Sequence, residues 1–174
     1  MSSFRTCSPR ELSGNLIQRI AEEWMLVTAG SPEDGVATMT VNWGSMGYLW
    51  HKDMAMVVIR HSRNTLPYME RSGCFSLSLF SPEYREQLTF CGRNSGRDVD
   101  KIAHCGFTTA YEDGIPYFTQ ADTVLLCLSL IHIFRPPLAS AGKNFTTSRP
   151  QSAAFCTSLG LTQPGITRMP LSTQ

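Results

Sequence analysis

Two short stretches of this sequence concentrate side chains suited to holding an anion. In Arg60-His61-Ser62-Arg63-Asn64-Thr65, Arg60 and Arg63 supply paired positive charge and Ser62 and Thr65 supply hydroxyl donors. A helix predicted to begin here adds free backbone N–H groups, and the whole set is the chemistry of a phosphate cradle. The same residues also make an ordinary helix start, with Thr65 as a cap and the arginines in solvent. In Ser95-Gly96-Arg97-Asp98-Val99-Asp100-Lys101, the glycine permits a tight turn, and Arg97 and Lys101 bring positive charge to a polar loop. The alternative there is an exposed loop whose Asp98 caps a helix and whose charges pair with one another. A third stretch, Asn42-Trp43-Gly44-Ser45-Met46-Gly47, reads as a small-residue loop at a strand end, where backbone can approach a flat ligand. Thr40 and Asn42 are the side chains placed there. Trp43 and Trp50 can flank such a ligand or belong to the core; spacing alone favours the core, and Trp50 is left out of the site.

Other chemistry has less support. The six cysteines, Cys7, Cys74, Cys91, Cys105, Cys127 and Cys156, show no CxxC and no Cys/His spacing that builds a zinc site, so no metal is expected. Cys91 adjoins the second stretch, but a structural thiol is the better reading than a redox-active one, and nothing in the sequence supports a disulfide mechanism. His51, His61 and His104 share no spacing and read as bystanders. The net charge of +1 gives no basic excess for nucleic acid. No run is long enough to span a bilayer as a helix, and Met1-Ser2-Ser3-Phe4-Arg5 lacks the apolar core of a signal peptide, so a cytoplasmic protein with reduced thiols is expected.

The elements that must position these residues are mainly strands. Residues 15–23 space Leu16, Ile17 and Ile20 as one face of a short helix, and strands are predicted over 24–29, 36–41, 54–60, 74–80 and 121–127. The 74–80 strand alternates small or polar with apolar residues, as a half-buried strand does. Helices are predicted over 66–71, with Pro67 in the first turn, from Ser81 as N-cap to about Phe90, and over 98–104; 91–97 reads as a polar loop. Short helices between many strands, without a βαβ rhythm or a GxGxxG, favour an antiparallel β-barrel with inserted helices over a doubly wound sheet.

The ordered strings Met39-Thr40, Asn42-Trp43-Gly44-x-x-Gly47-x-x-Trp50, Ile59-Arg60-x-x-Arg63-x-Thr65 and Cys91-Gly92-x-x-Ser95-Gly96-Arg97-Asp98-x-Asp100-Lys101 together resemble the flavin reductase-like, flavoredoxin-type family over roughly residues 10–127. The resemblance implies an FMN-binding split barrel, mainly β, that works as a homodimer with flavin near the subunit interface. It also implies an NAD(P)H-dependent oxidoreductase, NADH or NADPH delivering hydride to flavin N5, with electrons passed to a redox partner or a free acceptor. An FMN-binding electron carrier without a nicotinamide site of its own, or a non-functional fragment, are the rival readings. FMN would then be held at its phosphate by Arg60, Ser62, Arg63 and Thr65, at its ring edge by Thr40, Asn42 and Trp43, and supported by Ser95, Arg97 and Lys101.

After Cys127 the resemblance stops. Leu128-Ser129-Leu130-Ile131-His132-Ile133 resembles the translation of a transposon end used in sequencing-library preparation, which makes 128–174 a foreign-looking tail. Every Asp and Glu lies at or before Asp122, and 134–174 carries scattered Pro, Ser, Thr and Gly with little periodicity, so disorder is expected there. A domain incomplete at its C-terminus would expose sheet edges, lowering solubility or flavin affinity.

Overall fold

A computed structural model describes residues 4–49, 51–128, 130–132, 153–157 and 159–164. The chain begins with strand β1 (Phe4–Cys7) and a short helix α1 (Leu16–Gln18), which Asn15 caps through its side chain and which runs on as a π-helical turn over Arg19–Glu23. Trp24 ends that turn at φ 66°, with the Arg85 guanidinium 3.5 Å from its ring centroid. Strands β2 (Met25–Ser31) and β3 (Gly35–Val41) form a hairpin, followed by β4 (Gly44–Leu49) and β5 (Lys52–Val58), which form another. Helix α2 (Thr65–Ser72) leads to β6 (Phe75–Leu79), then α3 (Arg85–Arg93) and α4 (Lys101–Cys105). Next come β7 (Thr109–Glu112), β8 (Ile115–Phe118) and β9 (Thr123–Cys127).

The expected tail region contributes β10 (Leu130–His132), β11 (Ala153–Thr157) and β12 (Leu159–Pro164) among its described residues. β11 lies beside β5, and β12 lies between β1 and β9. The remainder of 129–174, like Trp50, lies outside the described residues.

Among the described residues all pairings are antiparallel. One sheet has the order β1-β12-β9-β6-β2-β3, a second β10-β11-β5-β4, and β7 and β8 form a two-stranded ribbon. The register Val27↔Leu77↔Leu125 puts these three side chains on one face of the six-stranded sheet, where they join Ala55 and Val57 of the second sheet, Ile59 just past β5, and Leu66 and Met69 of α2 in the main core. The neighbouring row, Leu26, Val124 and Leu126, faces the other way and packs with Leu88 and Cys91 of α3 and with Ile115 and Phe118 of the ribbon. Helices and ribbon thus cover the sheet's second face, and the half-buried reading of 74–80 is corrected. All of Phe75–Leu79 is buried, and Ser76 meets its burial by donating to the Pro116 carbonyl at 2.6 Å.

Other expectations also shift. The polar loop at 91–97 begins later, because α3 continues to Arg93. The loop at 42–47 shrinks to Asn42 and Trp43, because pairing with β5 starts at Gly44. That glycine answers to its strand partner: a Cβ on it would lie 2.3 Å from the Met56 carbonyl oxygen. Ser81 occupies the N-cap position but its hydroxyl bonds Glu83 Oε1, with no side-chain cap to the backbone. The β7–β8 ribbon had a signal that sequence reading missed, Asp113-Gly114, whose φ values of 51° and 77° suit a tight two-residue hairpin turn.

Candidate functional site

The anion-suited segments, one following β5 and the other linking α3 to α4, meet beside α2. Strand β5 ends at Val58, Ile59 anchors the chain in the core, and the backbone then turns, with Arg63 N–H donating to the Arg60 carbonyl at 3.0 Å. The turn delivers Arg60 and Ser62 to the surface and half-buries Arg63 before α2 begins at Thr65, which is buried. On the other side, Ser95 folds its own loop: its carbonyl accepts from Asp98 and Val99 N–H, and its hydroxyl accepts from Arg97 N–H at 3.2 Å. The fold joins the two across 35 positions, with Arg97 Nη1 donating to the Ser62 carbonyl at 3.0 Å. A Cβ on Gly96 would come within 3.1 Å of Asn64 Nδ2, so the loop lies directly on the turn.

Between them opens a cleft of about 510 Å³. Val36, Ala37 and Thr38 of β3 line it together with Asn64 and Tyr68, and the 96–102 segment closes the other side. Among the described residues, Arg60, Arg63 and Arg97 make no ion pair; Arg60 instead lies 5.8 Å from the centre of the Trp43 ring. Trp43 is 51% exposed and sits with exposed Asn42 in the link from β3 to β4. Trp43 thus neighbours Arg60, and Arg97 is tied to the same turn through the Ser62 carbonyl.

Thr40 and Lys101 sit differently. The Thr40 hydroxyl donates to the Leu88 carbonyl of α3, and its side chain lies against Gly92. Lys101 is buried at 6% exposure, and its Nζ donates to the Thr38 carbonyl at 3.0 Å and the Cys91 carbonyl at 2.8 Å. Burial lowers its pKa, the nearby Arg63 charge pushes the same way, and Cys91 and Cys105 oppose them. Lys101 therefore ties β3 to α3 under the cleft, leaving one N–H beyond those two bonds. Asp100, not Asp98, caps α4, accepting from Ile102 and Ala103 N–H at 3.0 Å each.

Asn64 and Tyr68 are the lining residues sequence reading passed over. Asn64 occupied the unassigned position of the Arg-x-x-Arg-x-Thr string, and Tyr68 sits one helical turn beyond it. Among the described residues, no group of three or more His, Cys, Asp or Glu could hold a metal, and no helix is long and apolar enough to cross a membrane. His104 stacks on Phe90 with ring centroids 3.7 Å apart.

The site tests well for the phosphate end of a flavin nucleotide. Arg60, Ser62 and Arg63 immediately precede α2, Arg97 reaches that turn through the Ser62 carbonyl, none of the three arginines makes an ion pair among the described residues, and the cleft volume falls within the ~300–1,000 Å³ of small-ligand sites.

Antiparallel sheets with short helices and a surface cleft of this make define a β protein of the FMN-binding split-barrel class, although the described strands form separate sheets and not a closed barrel. The flavin reductase like domain family matches residues 17–134, and the chain belongs to that family. Among solved structures it is similar to the flavoredoxin of Desulfovibrio vulgaris (Miyazaki F), with a TM-score of 0.62 and 18% identity over 77% of this chain and 65% of that one. It is similar also to an FMN-binding domain of a flavin reductases-like enzyme from Shewanella baltica OS155, with a TM-score of 0.67 and 13% identity over 94% and 78% of the two chains. A third similar structure is a Streptomyces globisporus C-1027 NADH:FAD oxidoreductase, with a TM-score of 0.59 and 11% identity over 81% and 75%. The chain spans 65% of the flavoredoxins it resembles, from Desulfovibrio vulgaris and Methanosarcina acetivorans. No curated protein matches it in sequence.

Proposed function

We propose that this chain binds FMN and acts as an NAD(P)H-dependent flavin oxidoreductase. The observation that carries the reading is the Arg97–Ser62 bond, which brings two cationic segments far apart in sequence to one cleft. Arg60, Ser62, Arg63 and Arg97 would hold the phosphate, with the N-terminal backbone of α2, at Thr65, behind them. Ser95 shapes the loop that presents Arg97. The Asn42–Trp43 link would supply backbone groups to the ring edge, with Trp43 beside it, while Thr40 and Lys101 set the spacing of β3 and α3 beneath. Bound there, the flavin supplies hydride acceptance and onward electron transfer, chemistry that no side chain can provide.

The same reading makes the protein a homodimer in the cytoplasm that hands electrons to a redox partner or free acceptor. Exposed Trp43, Tyr48 and Leu49, on or beside the edge strand β4, are the surface a second copy would cover.

The test is an absorption spectrum of the full chain after FMN addition and desalting, followed by anaerobic mixing with NADH or NADPH. Retained flavin bands that bleach with nicotinamide are expected. Retained bands without bleaching would leave an electron carrier, and flavin lost on desalting would sink the reading. Arg63→Ala and Arg97→Ala should each weaken FMN binding by about 10-fold or more, as for a lost charge-assisted hydrogen bond of about 1.5–3 kcal/mol, while leaving the melting temperature close to that of the parent.

A further inference from the structure

The turn of α3 that packs on α4 carries a second kind of chemistry. Cys91 lies in the body of α3, fully buried, and Cys105 is the last residue of α4, partly exposed. Their sulfurs are 3.8 Å apart. Cys105 Sγ also reaches the Gln87 carbonyl at 3.8 Å, one helical turn before Cys91, so it lies along the face of α3 on which Cys91 stands. We propose that Cys91 and Cys105 are a dithiol site that closes to a disulfide with a small disulfide oxidant such as oxidised glutathione.

The geometry needs little change. A disulfide has an S–S length of about 2.05 Å, so the sulfurs must close by somewhat under 2 Å, a distance that side-chain rotation and a small shift of one helix end can supply. Cys105 is the end that can move. It is followed by Gly106 at φ 67°, whose N–H closes the helix on the Ala103 carbonyl, and beyond Gly106 the chain leaves α4. The Lys101 ammonium bonds the Cys91 carbonyl and its charge favours thiolate at both cysteines, against the burial that pushes both thiols up.

Exposure fixes the order of events. The Cys105 thiolate, the accessible one, attacks one sulfur of oxidised glutathione, forming a mixed disulfide and releasing one glutathione thiolate. Cys91 then attacks the Cys105 sulfur, its thiol proton passing to the departing glutathione sulfur, which leaves as the second glutathione. Two protein thiols are oxidised by two electrons, and one glutathione disulfide is reduced to two glutathione thiols.

The closed bond would span the loop that carries Ser95, Gly96, Arg97 and Lys101, fixing both of its ends. Only the effect on flavin rests on the proposed function; the bond itself does not.

The experiment is to incubate the full chain with oxidised glutathione, alkylate the remaining thiols, digest, and map disulfides by mass. A peptide pair joined through Cys91 and Cys105, absent after dithiothreitol and absent in Cys91→Ser and Cys105→Ser, is the expected result. The oxidised parent should melt about 5–10 °C above its reduced form, as closing a loop of this length implies. The parent's own peptide map decides, because it does not depend on how stable either variant is. Both cysteines alkylated, a persistent glutathione adduct on Cys105, or Cys105 joined to another cysteine would each overturn the proposal. Measuring FMN affinity of both redox forms keeps the two readings apart: flavin bound by neither form defeats the proposed function and leaves the disulfide result standing.

Discussion

Replacing Lys101 by Met separates the two roles a cationic residue can play under this cleft. The side chain is 6% exposed and its ammonium bonds two backbone carbonyls, at 3.0 Å to Thr38 and 2.8 Å to Cys91. Methionine keeps most of the apolar stem and removes both bonds, leaving two carbonyls without that donor. Hydrogen bonds to a charged group contribute about 1.5–3 kcal/mol each, so the gross loss is about 3–6 kcal/mol. Against it stands the desolvation that the ammonium no longer suffers in the variant, visible in the lowering of its pKa by burial. The net destabilisation should be about 2–4 kcal/mol, which for a chain of this size is a fall in melting temperature of about 5–15 °C.

Urea titration followed by far-ultraviolet circular dichroism, with FMN affinity measured on the same samples at low temperature, is the assay. The expected pattern is a large shift in the urea midpoint, with any loss of FMN affinity following the loss of folded protein. An unchanged midpoint would refute the reasoning, most directly if FMN affinity fell at the same time, since Lys101 would then be a ligand to the anion and not a tie between β3 and α3.

Two further outcomes follow from the packing. Burial and the neighbouring Cys105 push the Cys91 thiol up to about 12, so the folded chain keeps a proton that the unfolded chain releases near pH ~8.5. Stability from this group is full below that pH and falls as pH rises above it, by at most about 1.4 kcal/mol per pH unit; urea midpoints over about pH 8.5–10 should fall less steeply in Cys91→Ala than in the parent. Gly44→Ala places a Cβ 2.3 Å from the Met56 carbonyl, so β4 must move off β5 at a cost of about 1–3 kcal/mol, read as a lower melting temperature with an altered β signal; an alanine variant as stable as the parent would show that the β4 edge is free to shift.

Which parts of this structure the sequence disclosed follows from where each interaction partner lies. Strands 36–41 and 121–127 were legible because their composition and bounding turns are local, and they recur as Gly35–Val41 and Thr123–Cys127. The Ser-Leu-Ser alternation around 76–78 misled, because a period of two signals one wet face only where nothing covers it, and here the ribbon and α3 do. Asn42–Gly47 misled for a similar reason: its glycines looked like loop residues, yet one of them is demanded by a carbonyl in β5 that no local window contains.

The basic residues show the same limit at the site itself. By type and spacing, Arg60, Arg63, Arg97 and Lys101 are one set. The fold divides them by what already surrounds each charge. Lys101 points inward and bonds two carbonyls, whereas Arg97 gives one guanidinium N–H to the Ser62 carbonyl and keeps its remaining donors. Arg60 and Arg63 meet no carboxylate among the described residues. On the proposed reading the anion would lie between α2 and the 96–102 segment, where Arg97 lines the cleft and Lys101 ties β3 to α3. In that arrangement the arginines' loss should show in ligand affinity and the lysine's in stability.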